Sequence, residues 1–312
     1  MASIRIALLT SLLALIAACG SVPKQPPATV KNSSASMTNA MLAYNDNRYA
    51  EARTFFGRAL MEYRSVDDLA GQGNALVDLA DCALQQGDVP AVREYLAEAQ
   101  TLVDQHQLAA LAPRLALLAA YADLQAGDAE GATTRLDTLM NDAGTPADVR
   151  SAALFARTQA AFDQKAADSA QWLAKLNAAA GADKDPLAAA RLARLQALAA
   201  DSAKAAALYA SALSQYQAAY YRPGIAATHE EWADLLLAQK DWAGARDHLR
   251  RALSVRLWMY DSSRSMRVLD KLATADKALG DDAAVKQDGE LSQYLQDGGD
   301  PSQSLAKQPA SH

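Results

Sequence analysis

The sequence of 312 residues holds only two cysteines, Cys19 and Cys82, so at most one intramolecular disulfide could form. Aromatic residues make up 6% of it, with 15 glycines and 10 prolines, in a chain that is 51% hydrophobic, with alanine supplying much of that share. This balance disfavours sheet and favours closely packed helices. Positive charge is in deficit, with 30 Lys and Arg against 36 Asp and Glu for a net of -6. A surplus of negative charge argues against nucleic acid as a partner and against broad adhesion to anionic lipid. No apolar run reaches the roughly 20 residues that a bilayer core requires. The run from Ile6 to Ala18 has 13 residues and is interrupted by Thr10 and Ser11.

Catalytic motifs are missing too. Gly71-Gln72-Gly73 is a fragment of a nucleotide-binding loop with no strand before it. No G-x-S-x-G elbow is present, and no carboxylate pair sits in an apolar setting suited to acid-base work. The expectation is a protein with no catalytic residue and no cofactor.

What is present begins at the amino terminus. Arg5, the apolar run and the small residues around Cys19 read as an export segment. The stretch Leu15-Ile16-Ala17-Ala18-Cys19-Gly20 resembles the lipobox of bacterial lipoprotein signal peptides. That resemblance implies diacylglyceryl transfer to Cys19, removal of residues 1–18 and N-acylation with a palmitate-type chain. Acyl chains burying about 0.8 kcal/mol per CH2 would anchor the protein stably. Loss of Arg5 leaves 29 minus 36, or -7. Gly20 and Ser21 follow the cysteine where the family's retention rule needs Asp, so the expected site is the periplasmic face of the outer membrane of a Gram-negative cell. With Cys19 acylated, Cys82, flanked by Ala80 and Ala83, reads as a small buried hydrophobe rather than a reactive thiol. Residues 19–34 are Pro-rich and polar, as a tether would be, and residues 297–312 read as a disordered tail.

Residues 35–296 carry an internal repeat. Asp88 precedes Val92, Leu96 and Ala99, and Asp128 precedes Ala132, Leu136 and Leu139, 40 residues on. Asp201 with Ala205, Tyr209 and Ala212, Asp241 with Ala245, Leu249 and Ala252, and Asp281 with Val285 fall 40 apart as well. Arg48-Tyr49 with Ala52, Phe56 and Ala59 opens the series, and a weak copy with Ala170 as its small residue lies between, giving about seven units. A small residue at i, a large one at i+4 and a small one at i+7 form one helix stripe that lets a neighbour approach closely. Each Asp is placed to cap its helix, and Gly87, Gly127 and Gly280 before it suit a left-handed helix end. Thr145-Pro146 and Asp185-Pro186 are further helix starts.

The pattern Ala-x3-Phe-x2-Ala-Leu after such a turn, best seen in Ala40, Tyr44, Tyr49, Ala52, Phe56, Ala59 and Leu60, resembles the tetratricopeptide repeat (TPR). It departs from that family in its period, which is usually about 34, and in lacking a Pro at the end of each unit. The resemblance implies an all-α, right-handed solenoid whose concave face, built by the first helix of each unit, binds peptides or partner domains. On that geometry the groove is expected to present Tyr44, Asn74, Asp81, Gln85, Arg114, Tyr121, Gln125, Gln159, Asp163, Arg194, Glu230 and Asp234. The function expected is an envelope adaptor or assembly factor that binds proteins in pilus or secretion assembly, outer-membrane protein assembly or control of peptidoglycan enzymes. The alternative is an enzyme or a metal- or solute-binding lipoprotein with a site near His229, Glu230 and His248, although position 233 is Ala where a helical zinc motif needs His. The aromatics Tyr220, Tyr221, Trp232, Trp242, Trp258 and Tyr260 read as packing between the last units, with Trp258 and Tyr260 the ones expected at the surface.

Overall fold

The computed structural model describes residues 28–180 and 187–305, and among them there is no strand. Helices pair in order: α1 (Ala28–Asn45) with α2 (Tyr49–Ser65), α3 (Leu69–Gln85) with α4 (Val89–His106), and α5 (Ala112–Ala126) with α6 (Ala129–Asn141). Then come α7 (Ala147–Asp163) with α8 (Ser169–Ala180), α9 (Ala188–Leu198) with α10 (Ser202–Ala218), α11 (Arg222–Ala238) with α12 (Trp242–Trp258), and α13 (Ser262–Ala278) with α14 (Asp282–Gln296). The described residues therefore form an α-solenoid of seven helix-turn-helix units.

The turns obey the capping chemistry. The side chains of Asp88, Asp128, Asp201, Asp241 and Asp281 each accept from the backbone N–H three residues on. Asp68 and Asp261 cap first helices in the same way. Each such cap contributes about 1 kcal/mol. Gly87, Gly127 and Gly280 hold the positive φ that ends the preceding helix, whereas Asn47, Lys165 and Lys240 hold it in other units. Thr145 departs from expectation. Its hydroxyl bonds Asp142 rather than capping α7, whose N-cap is Pro146 itself. Asp185-Pro186 lies outside the described residues.

The repeated stripes are the core. Ala52, Val92, Ala132, Ala205 and Ala245 are buried beneath Phe56, Leu96, Leu136, Tyr209 and Leu249. Helices contact chiefly their neighbours in sequence, as stacked repeats must. The fourth unit corrects the sequence reading. Ala170 is exposed, and the helix start at Ser169 follows Ala129 by 40 residues, so Trp172 stands in the small-residue slot and Leu176 in the large one. An indole in place of a methyl hid the register, and Trp172 fits because it leans outward, donating to Asp168 (2.8 Å) under the Arg157 guanidinium, 4.3 Å from the ring.

The ends of the body also differ from expectation. Residues 28–34 belong to α1 rather than to a tether, and α15 (Pro301–Leu305) packs on α12 inside the supposed tail, with Pro301 and Ser304 buried. Residues 1–18 and Cys19 lie outside the described residues. No helix among the described residues is long and apolar enough to cross a membrane.

The stack bends until its ends meet. Asn47 Nδ2 donates to Tyr220 O (2.9 Å) and Arg222 Nη1 donates to Asp46 O (2.8 Å), tying unit one to the turn before unit six. Arg264 of α13 donates to Gln85 O (3.3 Å) at the end of α3. Gly87 completes this second seam, since a Cβ there would stand 2.6 Å from Asp261 Oδ1 and 3.2 Å from Ser263 Cβ. One side chain from unit one and two arginines from units six and seven thus join the ends of the stack through backbone carbonyls.

Candidate functional site

The closed coil surrounds a cavity of about 620 Å³ to which all seven first helices contribute. Of the twelve residues expected in the groove, eight line it: Tyr44, Asp81, Gln85, Tyr121, Gln125, Gln159, Asp163 and Arg194. Four do not. Asn74 is exposed near the start of α3 and bonds its own helix at Ala70 O. Arg114 pairs with Asp78 (3.0 Å), and Asp234 with Lys271 (2.6 Å). Glu230 accepts from Arg256 Nε (2.7 Å) beside the cavity.

The reason is the pitch of the coil. The cavity is lined by the last turns of α1 and α3 but by the opening turns of α11 and α13. A uniform choice of solvent-facing positions along each helix misses that drift. It also misses lining residues from outside the first helices, namely Tyr216 of α10, Arg256 of α12 and the turn residue Tyr221. The apolar lining, Leu84, Leu117, Leu124 and Phe155, carries no polar mark by which a groove could be read.

At one side Tyr44 donates to Asp81 (2.9 Å) and Gln85 Nε2 reaches its other oxygen (3.1 Å). Burial pushes the Asp81 carboxyl up, although both hydrogen bonds and Arg114 pull it down. Burial likewise pushes the Tyr121 phenol up to about 12. Gln125 Nε2 closes the end of α3 by donating to Leu84 O (3.1 Å). At the other side Arg194 donates to Gln159 (2.9 Å), and its Nε lies 3.4 Å from Glu231 Oε2. The angle there makes no hydrogen bond, and both atoms are buried without one. Burial pushes Glu231 up to about 7, with Arg194 holding it down and Asp163 adding to the rise. Burial also works against the Arg194 charge, but Glu231, Tyr216, Tyr221 and Asp163 outweigh it and raise its pKa.

Five arginines line the cavity, residues 191, 194, 256, 264 and 267, against three carboxylates, Asp81, Asp163 and Glu231. In a chain with a net charge of -6 this interior is biased toward cations.

The alternative site is half assembled. His229 and His248 meet with their Nδ1 atoms 2.8 Å apart, one donating and one accepting, but Glu230 is turned to Arg256. Burial first, then His248, lowers the His229 pKa to about 4, so the pair is neutral at neutral pH. No cluster of three His, Cys, Asp or Glu suited to a metal occurs among the described residues. Cys82 is buried, and burial pushes its thiol up, away from the reactive thiolate. Among the six aromatics, Tyr260 is exposed as expected, but Trp258 is half-buried under Arg222, 3.8 Å from its ring. Tyr220, at the first seam, is the most exposed of them at 76%. Trp232 packs between Tyr209 and His248, Trp242 is half-buried, and Tyr221 turns into the cavity.

No family model and no curated protein matches the chain. Among solved structures it is similar to that of a Rap protein complexed with competence and sporulation factor, with a TM-score of 0.62 and 13% identity over 88% of this chain and 75% of that one. The BtubC (BKLC) structure from P. vanneervenii aligns over 87% and 92% with 14% identity, at a TM-score of 0.33 that is too low to carry an argument. At these identities the first likeness establishes a shared TPR-like helical-repeat fold.

Proposed function

We propose that this protein is a binding protein that takes an extended peptide segment of a partner protein into the central cavity. The observation that carries this reading is the closed coil itself. An open groove would admit a folded domain, but seams at Asn47–Tyr220 and Gln85–Arg264 leave about 620 Å³, within the usual range of 300 to 1,000 Å³ for small ligands. Mixed amides, tyrosines and arginines around leucines supply donors, acceptors and apolar contacts together, which peptide backbone and side chains require. The Rap protein structure is of a complex with a second factor, which supports binding over catalysis as the use of this fold.

The finer reading adds place and role. Lipidation at Cys19 would hold the body on the periplasmic face of the outer membrane, where it would act as an adaptor or assembly factor of an envelope complex. A photo-crosslinking residue at Tyr121, inside the cavity, is expected to capture a partner in cells, and one at exposed Met61 is not. Equal capture at both positions would refute the cavity as the binding site. Labelled palmitate is expected to enter the parent chain and not Cys19→Ala, and labelling of the variant would refute the anchor.

A further inference from the structure

We propose that the cavity takes up a proton together with its guest, held by Glu231, so that binding tightens as the medium becomes more acid. This rests on the cavity being a peptide site and adds how that site is regulated.

Three carboxylates line the cavity, and their surroundings differ. Asp81 accepts from Tyr44 at 2.9 Å and from Gln85 at 3.1 Å, bonds that favour its charge. Asp163 is exposed to solvent and accepts from Gln159 at 2.9 Å. Glu231 has neither advantage: its side chain is 17% exposed, and its Oε2 is buried with no hydrogen bond. Arg194 beside it spends Nη2 on Gln159 at 2.9 Å and leaves Nε 3.4 Å from Oε2, off the line of a hydrogen bond. A buried carboxylate with an unmade bond is costly as an anion, whereas the neutral acid carries an O–H that it can donate.

The groups around Glu231 pull in opposite senses. Arg194 of α9 favours the anion, whereas Asp163 of α7 and Glu230 and Asp234 of its own helix oppose it. From α10 come the buried phenols of Tyr209 and Tyr216. Arg256 of α12 lines the cavity but is committed to Glu230 at 2.7 Å and Asp261 at 3.3 Å. Arg191 of α9 and Arg264 and Arg267 of α13 also line the cavity, and their charge acts in the same sense as that of Arg194. Burial outweighs them all and sets the Glu231 carboxyl at about 7. A peptide seated in the cavity displaces the remaining water and deepens that burial, and its backbone carbonyls accept a proton that Arg194 cannot. The occupied chain therefore holds the proton more tightly than the empty one, and by linkage affinity is lost as pH rises through 7.

The full chain is immobilised and exposed at pH 6 and pH 8.5 to a pooled pentapeptide library, N-acetylated, C-amidated and free of ionisable residues, so that no peptide titrates. Retained peptides are quantified by mass spectrometry. Each pKa unit gained on occupancy changes affinity about tenfold, so a gain of about one unit makes retention about five- to tenfold weaker at pH 8.5. Glu231→Gln, neutral at both pH values and still a donor, should retain peptide equally at both. If that variant fails to fold by circular dichroism, calorimetry of the parent with its best-retained peptide, in phosphate and in Tris at pH 7.5, counts the proton directly. About half a proton taken up per peptide is expected there for the same gain. Equal retention at the two pH values, stronger retention at pH 8.5, a pH dependence that survives Glu231→Gln, or binding without proton uptake overturns this inference and leaves the peptide site standing. Retention of no peptide at either pH overturns both.

Discussion

Arg264 at the start of α13 lies against the last carbonyls of α3, with Nη1 3.3 Å from Gln85 O across 179 residues of sequence. The same nitrogen holds Asp261 at 2.7 Å, and Asp261 is fully buried. Removing the guanidinium leaves that carboxylate with Arg256 as its remaining cation and frees the seam. Arg264→Ala is expected to lower stability by about 1 to 3 kcal/mol in urea titrations. It should also raise the radius of gyration in small-angle scattering as the coil opens. An unchanged scattering profile would show that the stack's curvature, not the seam, sets closure.

Two buried groups should titrate with opposite signs. His229 has its folded pKa lowered to about 4 from 6.5. The unfolded chain binds the proton more tightly, so its contribution is lost as pH falls from 6.5 toward 4, by about 3 kcal/mol. Glu231 has its folded pKa raised to about 7 from 4.5. The folded chain binds that proton more tightly, so stability falls by a similar amount, about 3 kcal/mol, as pH rises through that window. The two slopes offset each other in the parent. Relative to the parent, His229→Gln should lose stability with rising pH and Glu231→Gln should gain it, read from denaturation midpoints between pH 4 and 7. Parallel profiles would contradict the assignment.

The last unit adds buried charge to an apolar core in which Val268, Leu269, Leu272 and Leu295 pack with Leu249, Leu253 and Leu257 of α12. Arg250 bonds Asp288 through two nitrogens (2.5 and 2.9 Å) and Asp276 at 2.9 Å, and both carboxylates are buried. Arg250→Met leaves Asp288 without its cation and Asp276 with Arg246 alone at 3.6 Å, and a loss of about 3 to 5 kcal/mol is expected. The paired change Asp276→Asn with Asp288→Asn in the Met background should recover part of it, measured by a double-mutant cycle. Absence of any recovery would mean that Arg250 acts through its packing alone.

Gly224 stands where α11 crosses α10. A Cβ there would lie 2.6 Å from the Tyr216 ring, and Tyr216 is 1% exposed. Gly224→Ala is expected to destabilise by about 1 to 3 kcal/mol, despite the better helix propensity of alanine. Thermal denaturation at neutral pH reads the sign, and stabilisation would refute the crowding.

Much of this fold is legible in the sequence, because capping and stripes are local and recur. Asp88 and Asp128 announce their helices, and Ala132 with Leu136 announces the face that is buried. The fourth unit escapes because Trp172 breaks the size pattern while keeping the spacing. Eight of the expected polar side chains on the first helices line the cavity, about a third of its lining, since Asp81, Gln125 and Arg194 cannot be placed in an alanine core. What stays hidden is the closure of the coil. Small rotations between units add up to bring Gln85 beside Arg264, and no residue records that sum. Hence Asn74 and Asp234 appear as good as Gln85 and Glu231 until the pitch is known.

An open stack of repeats lengthens and twists by sharing tiny hinge angles among its interfaces, like a spring with loose ends. Here the hooks at Asn47 and Arg264 remove that freedom, so slack in one unit must be taken up by another. The bore is thereby gauged: its width belongs to the whole circuit, and a guest too broad for it is refused by every unit at once.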